Sequence, residues 1–362
     1  MMTARFCLVK MTAGLFKSPG GHFFRFYCCQ SQSNSQKQMH SGRDRIKNKI
    51  KKIIKKSKNV FVVGHKNLDL DAIGACIGVS QIATHFNKNS YIIIDDEKNE
   101  LGVAKLLTEL DDKTILIKSK DIPKYHYKDS ILIIVDTNKA HLLQNDQIIH
   151  YFNHIIILDH HQESDQTIPN TIQIINEKAS SACEIVTGLI EKYQVKLTPT
   201  TATHILAGIV LDTNNFIVKT TQETYLSAYY LTKQGANPKK VQSYFKQDIK
   251  EYLERQKVIS KVKVIHDKYA LIVAPEKQQY KREELAKIAD TLLRFKNIEA
   301  SFVLGNRIDG GIGLSARSEG NINVGEIAEN LGGGGDNHDA AAQINNGKTL
   351  TEVSLELIDL LK

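Results

Sequence analysis

The sequence predicts an α/β fold in which a mainly parallel sheet carries helices on both faces, followed by a smaller α/β domain. The first observation is a series of short β-branched runs, separated by helical or loop segments, at residues 60–62, 91–94, 114–117, 131–135 and 155–158. Because these runs are continuously apolar and do not alternate, each predicts a strand buried on both faces. The second observation is that ligand-type residues follow three of the runs, at the edge where open α/β sheets bind their ligands.

Composition limits the class of protein. The length of 362 residues and the hydrophobic content of 41% are sufficient for two domains, each with its own core. No apolar run approaches the length of a membrane-spanning helix, so we expect a soluble protein without a transmembrane segment. Much of the net charge of +8 lies in residues 43–58, and the five cysteines form neither a disulfide framework nor a zinc-binding spacing.

The amino-terminal segment differs from the rest of the chain. Residues 1–43 contain no Asp, Glu or Ile and hold all four methionines. They predict either an organellar presequence, which would direct the protein to the mitochondrion, or a disordered extension upstream of a start at Met39, which would leave a cytoplasmic protein. Residues 43–58 space isoleucines at helical intervals among lysines. We expect this helix to pack against the first strand with a solvated basic face; nucleic acid or anionic lipid is the alternative partner.

A loop with one imidazole and two carboxylates follows the first strand. His65, Asp69 and Asp71 would repel or crowd one another unless a cation lay among them. The alternative is a polar loop in which Asp69 or Asp71 caps the next helix. Two further strand ends favour the cation, because Asp136 follows residues 131–135 directly and residues 159–161 read Asp-His-His. In a parallel sheet these ends lie along one edge, so we expect the side chains to converge.

The ligand types indicate the class of metal. The candidate ligands are His65, Asp69, Asp71, Asp136, His160 and Asp212, the last of which follows an apolar helix. Four carboxylates and two imidazoles without a thiolate favour manganese, with magnesium or cobalt as substitutes, over a structural zinc ion. They are sufficient for two divalent ions. Two ions bridged by a carboxylate are the usual apparatus for phosphoester hydrolysis.

The chain divides into four parts. The segment 1–43 is followed by a first domain at 44–236, a charged linker helix at 237–260 and a second domain at 261–362. In the first domain Ser181 opens a helix, where its hydroxyl either caps the helix or joins the free amides in holding a phosphate oxygen. The second domain should contain paired strands at 262–265 and 269–274, a helix at 282–295, and strands at 298–304 and 311–315.

Residues near the end of the second domain are candidates for substrate binding. Arg317 could make a bidentate contact to phosphate. The four glycines at 332–335 are either a flexible joint or, as we favour, a place where backbone amides approach a nucleotide closely. The full set of substrate-binding candidates is Ser181, Arg317, Ser318, Gly333, Gly334, Gly335 and His338.

The motifs together resemble the DHH phosphoesterase superfamily. They are His-x-x-x-Asp-x-Asp at 65–71, Val-Asp-Thr at 135–137, Asp-His-His at 159–161 and Leu-Asp-Thr at 211–213. The second domain resembles the DHH-associated C-terminal domain. By this resemblance one ion would be held by His65, Asp69 and Asp136, and the other by Asp71, Asp136, His160 and Asp212. His161 would then face the substrate phosphate, and Asp159 would support the ligands.

Within the superfamily, the phrases at 65–74, 206–216, 315–318 and 340–343 are most similar to the GdpP-type cyclic di-AMP phosphodiesterases. The resemblance implies hydrolysis of cyclic di-AMP to pApA, and in a second step to AMP, by a catalytic module that stands alone. Asp336 departs from the family, which normally has His directly after the glycines, so either His338 replaces that His or the substrate is held differently.

Other functions remain open at this stage. The first alternative is a nanoRNase that trims short oligonucleotides or dephosphorylates 3'-phosphoadenosine 5'-phosphate. A silent nucleotide sensor would be expected to lack a metal ligand, and none is missing. A nucleic-acid-binding protein acting through residues 43–58 is a further class. Family II pyrophosphatase shares the motifs of the first domain, but the glycine-rich second domain argues against it. Homodimerisation is left open.

Overall fold

The computed structural model describes residues 12–17, 23–28, 34–95, 100–111, 114–246, 248–345 and 347–362. The chain forms two compact units that divide after Lys246. Among the described residues no helix has the length and apolar character needed to cross a membrane. The predicted presequence at 1–43 lies partly outside the described residues. Its described parts are an antiparallel pair, β1 (Thr12–Lys17) and β2 (Phe23–Cys28), and the start of helix α1 (Asn34–Lys56).

The first unit is built on a six-stranded sheet. Its strands are β3 (Asn59–Val63), β4 (Asn89–Ile93), β5 (Ile115–Ile117), β6 (Ile131–Val135), β7 (Ile155–Asp159) and β8 (Ile172–Ile175). They lie in the order β5-β4-β3-β6-β7-β8, and every neighbouring pair is parallel. The predicted parallel sheet is therefore confirmed. Only β8 had no counterpart among the predicted strands.

Helical segments cover both faces of this sheet. The helices that follow α1 in this unit are α2 (Leu70–His85), α3 (Leu101–Leu107), α4 (Ile122–Tyr125), α5 (Ala182–Tyr193), α6 (Pro199–Asp212), α7 (Gln222–Lys233) and α8 (Pro238–Tyr244). Within β3, Val60 and Val62 pack in the core beneath α2, α5 and α6, whereas Phe61 and Val63 belong to the core on the other face. The absence of alternation in the sequence follows from this two-sided burial.

The basic helix packs as predicted. Ile50 and Ile54 of α1 are 1% and 2% exposed and join the core with Val60. The ammonium group of Lys51 lies 5.6 Å from the ring centroid of Phe86. The apolar stripe of this helix therefore anchors it to the first unit.

The second unit has a mixed sheet with a core on each face. Its elements are α9 (Ile249–Ile259), β9 (Lys263–Ile265), β10 (Tyr269–Val273), β11 (Gln279–Tyr280), α10 (Arg282–Leu292), β12 (Ala300–Arg307), β13 (Ile312–Ser318), α11 (Val324–Asn330), β14 (Gly334–Gly335), β15 (Asp339–Ile344) and α12 (Leu350–Leu360). The strands lie in the order β14-β15-β13-β12-β10-β9, and β11 pairs with β12. Phe302 of β12 is buried in the core with α11 and α12, and Val303 in the core with α9 and α10.

The predicted linker helix at 237–260 corresponds to two helices. Helix α8 ends at Tyr244, which is buried in the first unit together with Val241. Helix α9 has its own amino-terminal cap, because Asp248 Oδ1 accepts hydrogen bonds from the amides of Lys250 at 2.8 Å and Glu251 at 3.2 Å. The two helices belong to different units. The charged pattern that predicted one linker helix therefore extends across the boundary between the two units.

Candidate metal centre

His65 lies in the loop that follows β3. Its Nδ1 is 2.7 Å from the carbonyl oxygen of Lys66, which favours a proton on Nδ1 and leaves the Nε2 lone pair for a ligand. Nε2 lies 3.4 Å from Asp136 Oδ2 and 3.7 Å from Asp69 Oδ2. The ring is thereby oriented for coordination through Nε2.

Asp69 satisfies both interpretations that the sequence left open. Its Oδ1 accepts hydrogen bonds of 2.9 Å from the amides of Asp71 and Ala72, so this residue is the amino-terminal cap of α2. Its Oδ2 faces His65 instead. Because a carboxylate has two oxygens, capping and ligation do not exclude each other.

Asp136 is the central residue of the site. It follows β6 directly, is 3% exposed and has a left-handed backbone with φ of 58°. Such a conformation costs a non-glycine residue on the order of 1–3 kcal/mol. Its two oxygens face different imidazoles: Oδ2 is near His65, and Oδ1 lies 3.2 Å from Nε2 of His160. Asp136 therefore joins the two halves of the site.

The Asp-His-His segment at the end of β7 supplies three different environments. His160 is buried, and its Nε2 lies 3.2 Å from both Asp136 Oδ1 and Asp212 Oδ2. The side chain of His161 is 56% exposed, and its Nδ1 lies 2.8 Å from Oδ1 of the fully buried Asp159. Asp159 thus orients an exposed imidazole at the open side of the site.

Asp71 contacts the amino end of α5, whereas Asp212 lies at the carboxyl end of α6. The buried carboxylate of Asp71 accepts hydrogen bonds from the first amides of α5, from Ala182 at 2.7 Å and Cys183 at 2.9 Å. The positive end of that helix stabilises it. Asp212 is the last residue of α6, where the helix dipole disfavours a negative charge. A cation between the two would offset that cost.

The prediction that Ser181 or the start of α5 holds a substrate phosphate is wrong. Ser181 is fully buried, and its hydroxyl accepts a hydrogen bond of 3.0 Å from the amide of Glu184. The first amides of the helix donate to Asp71. Ser181 therefore acts as the amino-terminal cap of α5.

Positive charge would stabilise the buried carboxylates of this site. Burial alone would lower the pKa of His65, but the carboxylates of Asp136 and Asp69 outweigh it and raise this pKa to about 11. Asp136 and Asp212 likewise raise the pKa of His160 against the effect of burial. Burial, reinforced by Asp136 and Asp212, raises the pKa of Asp71. Excess negative charge thus favours protons on nearby groups wherever no other cation neutralises it.

The donor set fits metal ions. Three overlapping groups each place their ligand atoms within 4.8 Å of one another: His65–Asp69–Asp136, Asp71–His160–Asp212 and Asp136–His160–His161. Within the described residues, Asp136 Oδ1 and His160 Nε2 are buried without a hydrogen bond of acceptable geometry, although they lie 3.2 Å apart. Buried polar atoms without such a partner are costly. All six predicted ligands are therefore brought together in groups that could hold metal ions.

Asn138 is a neighbour of the site that the sequence analysis did not single out. It is 1% exposed, and its amide nitrogen lies 3.4 Å from the carbonyl oxygen of His161 and 3.3 Å from that of Gln162. This side chain ties the loop after β6 to the loop after β7. In the sequence, the signal for this role is an amide side chain directly after the Val-Asp-Thr motif.

Two substrate candidates of the second unit are engaged within it. Nε of Arg317 lies 2.7 Å from carboxylate oxygens of Asp290 and Asp339, so two acids offset its charge. Ser318 is 5% exposed, and its hydroxyl accepts hydrogen bonds from the amides of Gly320 and Ile322. This oxygen therefore organises a turn, and a contact of Ser318 with substrate stays a prediction.

The glycine run is part of a strand pair rather than a flexible joint. Gly334 pairs with Ala341, and Gly335 pairs with Ala340. A Cβ at Gly333 would overlap the carbonyl oxygen of Ala341, and one at Gly335 would overlap the carbonyl oxygen of Asp339. Close backbone packing therefore requires glycine at 333 and 335. By contrast, a Cβ at Gly334 would meet no atom within 4 Å.

His338 lies in the turn between β14 and β15. Its amide donates a hydrogen bond of 2.7 Å to Asp336 Oδ1, and its Nδ1 lies 3.4 Å from the carbonyl oxygen of Ser318. The residue is exposed. Asp336 therefore holds the turn that presents His338.

Comparison with known proteins places both units. Residues 59–209 match the DHH family, N-terminal domain, and residues 261–362 match the DHHA1 domain. The chain is 36% identical to the cyclic-di-AMP phosphodiesterase GdpP of Geobacillus thermodenitrificans over 307 residues, which are 83% of this chain and 46% of that protein. It is 34% identical to the cyclic-di-AMP phosphodiesterase PdeA of Listeria monocytogenes over 324 residues, 87% of this chain and 49% of that protein.

The chain thus spans about half the length of these relatives. Among solved structures, an exopolyphosphatase-related protein from Bacteroides fragilis matches with a TM-score of 0.70 at 20% identity, covering 88% of this chain and 96% of that chain. At this identity the likeness supports the fold.

The packing around Asp71 predicts the effect of a single methyl group. A Cβ at Gly208 of α6 would lie 2.5 Å from Cys183 Sγ and 2.8 Å from Asp71 Oδ1. We expect Gly208→Ala to displace the Asp71 carboxylate and weaken Mn²⁺ binding by roughly 10- to 100-fold, as measured by calorimetry. Gly188→Ala is the matched control, because its Cβ would meet only Lys47 Nζ, at 3.4 Å. Equal Mn²⁺ affinity in the two variants would contradict a ligand role for Asp71.

The raised pKa values of His65 and His160 predict that metal binding releases protons. With pKa values above neutrality both imidazoles carry protons in the metal-free protein, and a cation that takes Nε2 must displace them. Mn²⁺ affinity should therefore rise with pH between about pH 6 and pH 8. Calorimetric titrations in two buffers of different ionisation enthalpy measure the protons released. Identical heats in both buffers would show that no imidazole is deprotonated on binding.

Proposed function

Because this chain belongs to the DHH family and carries a DHHA1 domain, we propose that it is a phosphodiesterase that hydrolyses cyclic di-AMP to pApA. The observation that carries the proposal is the position of Asp136, whose two oxygens face His65 on one side and His160 on the other. Two groups of ligand atoms joined by one carboxylate suit a pair of ions. The substrate follows from the similarity of the chain to two proteins named as cyclic-di-AMP phosphodiesterases.

The ligand assignment is part of the proposal. His65, Asp69 and Asp136 would hold one ion, and Asp71, Asp136, His160 and Asp212 the other. The oxygen-rich set with two imidazoles favours Mn²⁺. Two divalent ions supply an activated water and offset the negative charge that develops on the phosphate.

The remaining side chains of the site orient one another or bind the substrate. His161 is exposed beside the ligand groups, and Asp159 fixes its Nδ1, so its Nε2 is available to a phosphate oxygen of the substrate. Asn138 holds the loop that carries His161. The loop is therefore held from β6 and from β7, which limits the motion of the imidazole that we assign to the substrate phosphate.

In the second unit we propose that the amide of Gly334 and the side chains of Arg317 and His338 contact the nucleotide. Gly334 has open space on its Cα, so a ligand can approach its backbone closely. His338 is exposed in the adjoining turn. Arg317 is the least available of the three, since Asp290 and Asp339 already pair with it.

Asp136 is assigned to both proposed ion sites, so removing its charge tests the ligand assignment. Asp136→Asn keeps the size of the side chain but removes its negative charge, so we expect kcat for cyclic di-AMP to fall by at least roughly a hundredfold in the presence of Mn²⁺. Asp129→Asn is the matched control, because Asp129 is exposed just before the opposite end of β6. Wild-type turnover by Asp136→Asn would overturn the two-ion assignment.

Chromatography of the products tests the substrate. Cyclic di-AMP, pApA and a short RNA are incubated in parallel with the wild-type protein and Mn²⁺, with Asp136→Asn as the blank. Rapid loss of cyclic di-AMP supports the proposal. If only pApA or the short RNA disappears, the nanoRNase alternative replaces it.

Substitutions in the glycine run distinguish a structural role from a role in substrate binding. Gly333→Ala should lower the free energy of unfolding by about 1–3 kcal/mol, because its Cβ overlaps the backbone of β15. Gly334→Ala should leave stability within about 0.5 kcal/mol of the wild type. It should nevertheless raise KM for cyclic di-AMP several-fold, since a methyl group would obstruct the backbone. Thermal unfolding by circular dichroism and steady-state kinetics measure the two effects. An unchanged KM in Gly334→Ala would remove this glycine from the substrate site.

A further inference from the structure

A strained loop follows Asp212 directly. Asn214, Asn215 and Phe216 have φ values of 46°, 60° and 64°, so three successive non-glycine residues adopt the left-handed region. This conformation is unfavourable for residues other than glycine and persists only where its surroundings fix it. Such clusters of strain accompany functional sites. The position of the loop, immediately after a proposed metal ligand, is the first indication that it has a role.

Hydrogen bonds hold the loop in this form. Thr213 accepts bonds at its backbone carbonyl from the amide of Ile217 at 2.8 Å and at its hydroxyl from the amide of Phe216 at 2.9 Å. The side chain of Asn215 accepts a further bond of 2.9 Å from Gln242 of α8. The loop is therefore a rigid turn that fixes the position of the Phe216 ring.

The ring of Phe216 supports a second, exposed ring. Phe216 packs on the core, and its ring lies against that of Tyr225 with centroids 5.6 Å apart and planes inclined by 14°. Tyr225 is 57% exposed. Next to the pair, Ile217 is 74% exposed and Val218 is 45% exposed. The result is a flat aromatic surface with an apolar border, open to solvent.

Both rings are connected to proposed metal ligands, one directly and one through α5. Phe216 lies four residues after Asp212, the last residue of α6. Tyr225 follows Thr224, whose hydroxyl donates a hydrogen bond of 2.7 Å to the buried Glu184 of α5. The amides at the start of α5 in turn hold Asp71 of α2. The surface is thereby connected to Asp212 through the end of α6 and to Asp71 through α5.

We propose that the Phe216–Tyr225 pair is a base-stacking site for the nucleotide whose phosphate lies at the metal centre. A planar nucleobase fits such a surface, because every base has a π-face that stacks on an aromatic ring. A purine, with two fused rings, covers more of it than a pyrimidine. The inference rests on the proposed function in so far as its ligand is a nucleotide. It adds the residues that recognise the base.

Fluorescence gives a test that does not depend on turnover. The chain contains no tryptophan, so Tyr225→Trp introduces a single indole, which can be excited selectively over the tyrosines and can itself stack on a base. AMP, added to the full chain with Mn²⁺, should quench its emission saturably, whereas ribose 5-phosphate, which has no base, should not. Tyr151→Trp is the control, since Tyr151 is exposed before the amino end of β7, away from the carboxyl ends of the strands. No quenching by AMP, or equal quenching in the two variants, overturns the proposal.

Kinetics supply the second test. Tyr225→Ala should raise KM for cyclic di-AMP by roughly 5- to 150-fold with little change in kcat, whereas Tyr225→Phe, which keeps the ring, should remain close to the wild type. Tyr229→Ala, one turn further along α7 and 64% exposed, is the matched control. A KM for Tyr225→Ala equal to that of Tyr229→Ala overturns the stacking site. If AMP quenches Tyr225→Trp but the wild type does not hydrolyse cyclic di-AMP, the stacking site stands and the proposed function fails.

Discussion

The structure of the first unit depends on the burial of several carboxylates in a small volume. Asp71, Asp136 and Asp159 are at most 3% exposed, and Asp69 and Asp212 lie beside them. Burial, reinforced by neighbouring carboxylates, raises the pKa values of Asp71 and Asp212. Such an arrangement is stable only where positive charge, hydrogen bonds or both offset it. The parallel sheet supplies the frame, because it brings three strand ends to one edge.

Different parts of the fold offset the carboxylates. Asp69 uses one oxygen to cap α2, and Asp71 accepts hydrogen bonds at both oxygens from the first amides of α5, so helix amino termini stabilise two of the charges. Asp159 is bound to the ring of His161. Asp136 and Asp212 have no such helix terminus and face the imidazole of His160. At these two residues imidazoles, and not helix amino termini, offset the negative charge, so this is where a cation could replace the imidazole protons.

The sequence predicted the parts of this design that depend on local pattern. Strands buried on both faces read as unbroken apolar runs, and a polar residue directly after such a run, such as Asp136, marks the ligand-binding edge of the sheet. Contacts between distant segments leave no local signal. Asp71 meets the start of α5 across 111 residues, so the burial of Ser181 could not be read from its neighbours. The short strand β14 is defined by its pairing with β15. Its two glycines alone did not indicate which strand they would pair with.

In the second unit, phosphate charge alone would be a weak basis for the nucleotide contact that we propose there. Arg317 lies between Asp290 and Asp339, so an incoming phosphate would compete with two carboxylates for one guanidinium group. Asp336 adds a further negative charge beside His338, although its Oδ1 is engaged by the amides of His338 and Asp339. Stacking on Tyr225 in the first unit, as we propose it, involves no such competition, because it depends on the π-face of the base and on a ring that Phe216 holds in place.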